Sequence, residues 1–396
     1  MKKSGETVAL PSRSDRMRSV QMPVMGFVAD LMRDNPGTIS VGQGVVHYGP
    51  PARAIKAAQQ AVTAPNTHGY GYVIGRSSLR SAFAEKLNAE NRLDPGYEVV
   101  VAAGSNMAFF ASLLAITSPG DEVILLVPYY FNHEMATYIA GCKPVLVSFG
   151  DSLIPDVETI ERAITPKTRA VVTISPNNPT GIVYAPETLR AINDMCAAHG
   201  IYHMSDEAYE YFTFDGAEHY SPGSSPGAHA HTISLFSMSK AYGMAGWRLG
   251  YMAVPPQILA DIHKIQDTNQ ICPAMISQSM ALAALEEGAG YCRQYVDSMA
   301  KVRDMVLERL NSVRAPITVS PSKGAFYFLL RVDTALDSKT LTTRLIREHS
   351  VAVIPGDTFG MTTGGTYLRV AYGALQVSTL SEALDRLVNG LEALVG

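Results

Sequence analysis

Ser237-Met238-Ser239-Lys240-Ala241-Tyr242-Gly243-Met244-Ala245-Gly246-Trp247-Arg248-Leu249-Gly250 follows directly on an apolar, β-rich run, Thr232 to Phe236. The stretch therefore begins where a buried strand ends and a loop opens. A lysine leaving such a strand among hydroxyls, with an arginine eight residues on, is oddly placed for a core, because lysine is almost never fully buried without a partner. In a dry pocket, desolvation disfavours the ammonium form, and the free amine can attack a carbonyl to give a Schiff base. Ser237, Arg248 and the small glycines suit an anion bound beside that lysine. The plainer alternative is a surface loop with one lysine and one arginine, and this stretch alone does not separate the two.

Working back from Lys240, apolar runs alternate with helical spacing over about residues 52 to 285. Ile55 to Ala64, Ser77 to Asn91, Met107 to Thr117, Val157 to Ile164 and Pro186 to His199 read as helices. Tyr97 to Ala103, Glu122 to Val127, Lys143 to Ser148, Ala170 to Ile174 and Tyr202 to Ser205 read as strands. That alternation predicts an α/β, doubly wound, mostly parallel sheet, whose ligands lie outside the carboxyl ends of the strands.

The suspicious residues come from such ends. Gly104-Ser105-Asn106 presents free N–H groups at a helix start, a ready anion site, although many βα loops look like this and bind nothing. Tyr130, in Pro128-Tyr129-Tyr130-Phe131, is either core or a face for a planar ring. Ser175-Pro176-Asn177-Asn178-Pro179-Thr180-Gly181 is a sharp loop in which Asn178 offers both donor and acceptor. Asp206 closes a mid-sheet strand, where a carboxylate is costly unless it meets a cation, while strand alternation turns Glu207 the other way. A carbonyl compound that carries an anion and meets these groups fits pyridoxal 5'-phosphate (PLP).

The remainder sets bounds. The chain has 396 residues, 47% of them hydrophobic and 17% charged, an ordinary globular composition divided into two domains. A net charge of −4 leaves no electrostatic footprint for nucleic acid or an anionic membrane. Cys142, Cys196, Cys272 and Cys292 show no zinc or CxxC spacing and read as small core residues of a reducing compartment. Lys2, Lys3, Arg13, Arg16 and Arg18 precede no secretory apolar core, and runs such as Met107 to Ile116 are too short to span a bilayer, so the expected location is cytoplasmic. Three histidines in the Gly/Ser/Pro loop 215–231 read as solvated, and no metal site is expected.

Residues 1–50 read as an N-terminal arm, with one helix near Val24 to Arg33, that joins the small domain. Residues 51–287 form the large domain, and 288–396 a smaller α+β domain. In the last, a long helix spans Tyr291 to Asn311, strands run over Gly324 to Val332, Val351 to Ile354 and Tyr367 to Tyr372, and a helix covers Lys339 to His349. Thr379-Leu380-Ser381-Glu382 reads as a capping box opening the final helix. Arg369, inside an apolar strand, is either one half of an ion pair or a carboxylate clamp.

Asn178-Pro179-Thr180-Gly181, Asp206-x-x-Tyr209, Ser237-x-x-Lys240 with Arg248, and the late Arg369 occur in an order that resembles the PLP-dependent aminotransferases of fold type I, class I/II. The resemblance runs from about residue 20 to the end. It implies that Lys240 holds PLP as a Schiff base, Asp206 pairs with the ring nitrogen, and Tyr209 and Asn178 bond the ring oxygen. Tyr130 would stack on the ring, and Ser105, Asn106, Ser237 and Arg248 would hold the phosphate. Tyr70 would reach the phosphate of a partner subunit, which implies a homodimer with shared active sites. Gly44, Asn178 and Arg369 would bind the substrate carboxylate. The implied reaction is a ping-pong transfer of an amino group from an L-amino acid to a 2-oxo acid.

Gln43-Gly44-Val45-Val46-His47-Tyr48 departs from the commoner Gly-x-Pro-Asp-Phe. That version, with Met22-Pro23-Val24-Met25 and Ala284-Leu285-Glu286-Glu287-Gly288, looks most like plant aromatic/methionine aminotransferases. Tyr48, Tyr70, Tyr130, Phe326 and Tyr327 are the aromatics expected to line an apolar pocket, so the expected donor is aromatic or methionine. A carbon–sulfur β-lyase shares Lys240, Asp206 and Arg248, and a non-catalytic PLP-binding regulator is the third reading. An intact Lys240 argues against the last.

Overall fold

Runs that are apolar on both faces make central strands, and amphipathic segments between them make the covering helices. The computed structural model describes residues 14–396, so Lys2, Lys3 and Arg13 of the expected arm lie outside the described residues. In chain order the strands are β1 (Ile39–Ser40), β2 (Glu98–Ala102), β3 (Glu122–Val127), β4 (Lys143–Ser148), β5 (Thr168–Ile174), β6 (Tyr202–Asp206), β7 (Thr232–Ser237), β8 (Gly250–Val254), β9 (Ile317–Val319), β10 (Tyr327–Val332), β11 (Val351–Ala352), β12 (Ile354–Pro355) and β13 (Thr366–Ala371).

Seven of them form one sheet in the order β2-β8-β7-β6-β5-β3-β4. Only β8 runs against its neighbours, β2 and β7; the other pairings are parallel. The large sheet is thus α/β and mostly parallel, as the alternation predicts. Period-two alternation sorts β7 between two layers. Ile233 and Leu235 join Phe109 and Leu113 of the Ser105–Ile116 helix on one face, and Phe236 joins Phe83 and Tyr251 on the other.

A second, antiparallel sheet has the order β12-β13-β10-β9, and β1 pairs in parallel with β11. The Gly290–Asn311 helix leads towards it, and the Ser338–His349 and Val377–Val395 helices cover it. Its β9–β10 turn docks on the large sheet: the N–H groups of Lys323 and Gly324 donate to Gly181 O at 3.0 and 2.7 Å. A Cβ at Gly181 (φ +72) would fall 2.0 Å from Ser322 Oγ, so the close approach needs glycine there.

Several local readings need correction. A helix at Phe131–Ile139 follows β3 directly, with Tyr130 at its start making no side-chain cap, so no polar start signal marked it. The expected Val351–Ile354 strand splits between β11 and β12 of different sheets. The last helix opens at Val377, two residues before the supposed capping box, and Gln376 makes no side-chain cap. The loop histidines are partly buried and have partners: His219 Nε2 lies 2.8 Å from Glu207, His229 pairs with Asp94 with its side chain 40% exposed, and His231 Nε2 lies 3.2 Å from Asn193 O. Cys142, Cys196 and Cys292 are buried, whereas Cys272 is half-buried, its Sγ accepting from Gly71 N at 3.2 Å.

Candidate active site

The carboxyl ends of β2, β3, β5, β6 and β7 open into one cavity of about 190 Å³, closed by residues of β10, β13 and the N-terminal segment. Every residue that the resemblance assigns to cofactor or substrate carboxylate lines it except Tyr70: Gly44, Ser105, Asn106, Tyr130, Asn178, Asp206, Tyr209, Ser237, Lys240, Arg248 and Arg369. Tyr70 is 84% exposed and faces outward.

Lys240 sits in the four-residue helix Met238–Ala241 that continues β7, where the Ser237 side chain accepts the Ser239 N–H at 3.1 Å. Its Nζ donates to Gly44 O. Burial, then the like charges of Arg369 and Arg248, lower the amine from 10.5 to about 8, against the opposing pull of Asp206. A largely dehydrated lysine with two guanidiniums nearby is one ready to exist as a free amine.

Asp206 ends β6 at the cavity floor. Its Oδ2 lies 3.2 Å from Nε2 of His133, and Oδ1 accepts the Ala208 N–H at 3.1 Å. His133 is buried and stacked on Phe109, with centroids 4.0 Å apart. Nothing local to His133 announces this support, because its helix opens without a side-chain cap at Tyr130. A βα rule applied after β3 would have found the helix, though not the contact. Glu207 turns away, as alternation predicts, to Ser221 and His219.

An anion cradle lies at the opposite end. The Ser105–Ile116 helix begins there with free N–H groups, and Ser237, Ser239 and Arg248 stand around it. Gly104 (φ +84) has a left-handed backbone that favours glycine, and a Cβ there would lie 2.5 Å from Arg248 Nη2 and push that guanidinium aside. The cradle is shaped by a guanidinium lying over bare backbone, which fits a phosphate.

Arg369 is 3% exposed on β13. Its Nη1 donates to Asn178 Oδ1 at 2.8 Å and its Nη2 to Gly42 O at 2.7 Å, while Nε has no partner. No carboxylate pairs with it among the described residues, so the ion-pair alternative does not hold. Tyr327 and Phe359 lie 4.6 and 5.1 Å from the guanidinium carbon. An unsatisfied buried guanidinium that opens on a cavity fits a carboxylate ligand. Tyr209 OH lies 2.7 Å from Tyr327 OH and accepts from Asn178 Nδ2 at 3.4 Å. Burial keeps both phenols above their ordinary value, Tyr209 well above it and Tyr327 at about 12, so both remain protonated.

Of the five aromatics expected in the pocket, Tyr130 and Tyr327 line it; Tyr48 and Phe326 do not. Phe326 packs edge-on to Tyr209 and Phe212, and Tyr48 turns behind the lysine helix. Met25, Phe131 and Ile174 supply apolar wall instead. Residue type alone does not say which side of a segment faces a cavity.

Comparison with known proteins follows the same lines. The family model "Aminotransferase class I and II" matches residues 36–387. The chain is 36% identical to the aromatic aminotransferase ISS1 of Arabidopsis thaliana, over 96% of this chain and 97% of that one. It is also 36% identical to an aspartate aminotransferase of Pyrococcus abyssi, over 94% and 97%. The solved aspartate aminotransferase of Thermus thermophilus with maleate superposes with a TM-score of 0.87 at 31% identity, over 96% of this chain and all 100% of that one. With fold, family model and full-length relatives in agreement, the chain belongs to the class I and II aminotransferases, PLP-dependent enzymes of fold type I that move an amino group between an amino acid and a 2-oxo acid.

Proposed function

We propose that the amino donor is an L-amino acid with an aromatic or methionine side chain, and that the cavity around Lys240 is where it reacts. One observation carries this: the residues lining the cavity include two arginines, Arg369 at the clamp and Arg248 at the phosphate cradle, so neither is left over for an acidic side chain. The relative in Arabidopsis is named for aromatic amino acids, which agrees, whereas the Pyrococcus relative is named for aspartate. A panel of Phe, Tyr, Trp, Met and Asp against several 2-oxo acids tests it. Fastest turnover with Asp sinks the assignment.

PLP, when bound, supplies an electron-poor ring that stabilises charge developing at the substrate's Cα. The chain's own groups do the rest. Arg369 receives the α-carboxylate through two parallel N–H bonds, a fit that a lysine cannot copy. Asp206, steadied by His133 and Ala208 N–H, would stand at the floor as the partner of the ring nitrogen. Tyr209 and Asn178 would bond the ring oxygen, and Tyr130 would cover the ring face. Ser105, Asn106 and Ser237 would hold the phosphate and Arg248 would offset its charge of about −1.5 to −2 at pH 7. Lys240 would hold the cofactor at rest, and its amine, once free, would be the group placed to accept the proton at the substrate's Cα. Borohydride reduction of the holoprotein and peptide mass spectrometry should place a pyridoxyl group on Lys240, and Lys240→Ala should abolish both label and turnover.

The exposure of Tyr70 supports a homodimer in which that side chain completes the partner subunit's phosphate site. We divide the chain into a large domain, 51–287, and a small one, 288–396, joined by the arm through the β1–β11 pairing. No helix among the described residues is long and apolar enough to cross a membrane, and the four cysteines are free, which agrees with a cytoplasmic location.

A further inference from the structure

The segment Gln43–Tyr48, where the chain departs from the commoner family motif, ends in a tyrosine that takes no part in the cavity. We propose that Tyr48 is a positioning residue for Lys240, its hydroxyl strapping down the C-terminal end of the short helix that carries the lysine. This rests on the reading of Lys240 as the reacting amine.

The hydroxyl lies 3.2 Å from Lys240 O and 3.3 Å from Ala241 O, the last two carbonyls of the Met238–Ala241 helix. Lys240 O already accepts from Gly243 N at 3.2 Å, so the hydroxyl adds a second bond there and also reaches Ala241 O, at the helix end where intrahelical donors run out. Tyr48 is itself held from behind. Its ring is stacked on Tyr295 with centroids 3.8 Å apart and planes 7° from parallel, and this stack holds it, while the 3.5 Å contact of its oxygen with Cys292 Sγ is too long to add much. The neighbouring Gly49 O accepts from Tyr291 OH at 2.6 Å.

Backbone fits backbone at the same place. A Cβ on Gly243 (φ +60) would come within 2.5 Å of Tyr48 O, so the turn after the lysine lies flat against this segment. Gly44 O, four residues earlier, accepts from the lysine Nζ. One stretch of chain therefore touches Lys240 at both ends, at the amine and at the main-chain carbonyl. Burial and the adjacent Cys292 push the phenol far above its ordinary value, so it stays a donor at any working pH. A phenylalanine, commoner at this point of the motif, would fill the space and keep the stack but could not donate.

The amine has to serve in turn as cofactor anchor and as proton carrier, and displacements of a fraction of an ångström are costly in such steps. Tyr48→Phe removes the hydroxyl alone. In the cofactor-free protein, amide hydrogen exchange over 238–244 should speed up about tenfold, the equivalent of one lost hydrogen bond, while the Leu259–Gln270 helix keeps its protection. In the loaded enzyme kcat should fall about tenfold with KM for the amino donor held within about twofold, since Tyr48 touches no substrate. Cys292→Ala, which leaves both carbonyl contacts in place, should match wild type in both measurements. Unchanged exchange over 238–244 overturns the proposal, and so does a loss of protection spread evenly over the chain. If borohydride leaves no label on Lys240 of the wild type, the functional reading fails instead, and the exchange experiment still reports on the strap.

Discussion

Lys240 in the cofactor-free protein should lose its proton near pH 8 rather than 10.5. At pH 7 that leaves about one amine in eleven free, against about one in three thousand for an ordinary lysine. The causes can be separated by substitution. Burial is the largest and is not removable without rebuilding the cavity. Arg369 comes next, so Arg369→Gln should move the midpoint upward, and Asp206→Asn, which deletes the one opposing charge, should move it downward. Competitive acetylation across about pH 6 to 11, read by peptide mass spectrometry against the exposed Lys56, measures the titration directly. The linkage has a definite sign. Between about 8 and 10.5 the unfolded chain binds the extra proton, so stability rises with pH across that window, and below it Lys240 destabilises the fold. A wild-type midpoint near 10, or an Arg369→Gln midpoint that fails to rise, would refute the account of a charge-crowded, dehydrated amine.

Three further outcomes are expected. Asp206→Ala removes the carboxylate at the cavity floor and leaves His133 buried without its partner; turnover should drop by about two orders of magnitude or more, measured as kcat under saturating PLP. Arg369→Lys keeps the charge but loses the fork, and steady-state kinetics should show KM for the donor rising about tenfold or more. Gly104→Ala forces a left-handed backbone on alanine and drives a methyl into Arg248, so equilibrium dialysis should show weaker PLP binding and thermal unfolding should show a cost of about 1 kcal/mol or more.

Much of the site could be read from the sequence because doubly wound sheets put their ligands at one edge. Once β2, β3, β5, β6 and β7 are recognised as strands, Gly104, Tyr130, Asn178, Asp206 and Lys240 are committed to the same side of the molecule. What escaped depended on contacts between distant segments. The His133–Asp206 pair joins two helix and strand ends seventy-three positions apart, and nothing local to either residue announces it. His219 and His229 look solvated in a Gly/Ser/Pro loop until Glu207 and Asp94 arrive from elsewhere. Tyr48 and Phe326 have the composition of pocket lining, and only the path of the backbone sends one behind the lysine and the other beneath Tyr209. The final helix shows the reverse failure: a good capping sequence lies inside a helix that tertiary contacts had already begun two residues earlier.

Arg369 belongs to β13 of the smaller sheet, yet its two bonded nitrogens grip Asn178 from the larger sheet and Gly42 from the N-terminal segment. The guanidinium works as a rivet through three pieces of chain. An arriving carboxylate can take the N–H groups those two bonds leave over, Nε–H among them, so filling the clamp ties the ligand into the same seam. Occupancy and interdomain stiffness are thereby written into a single side chain.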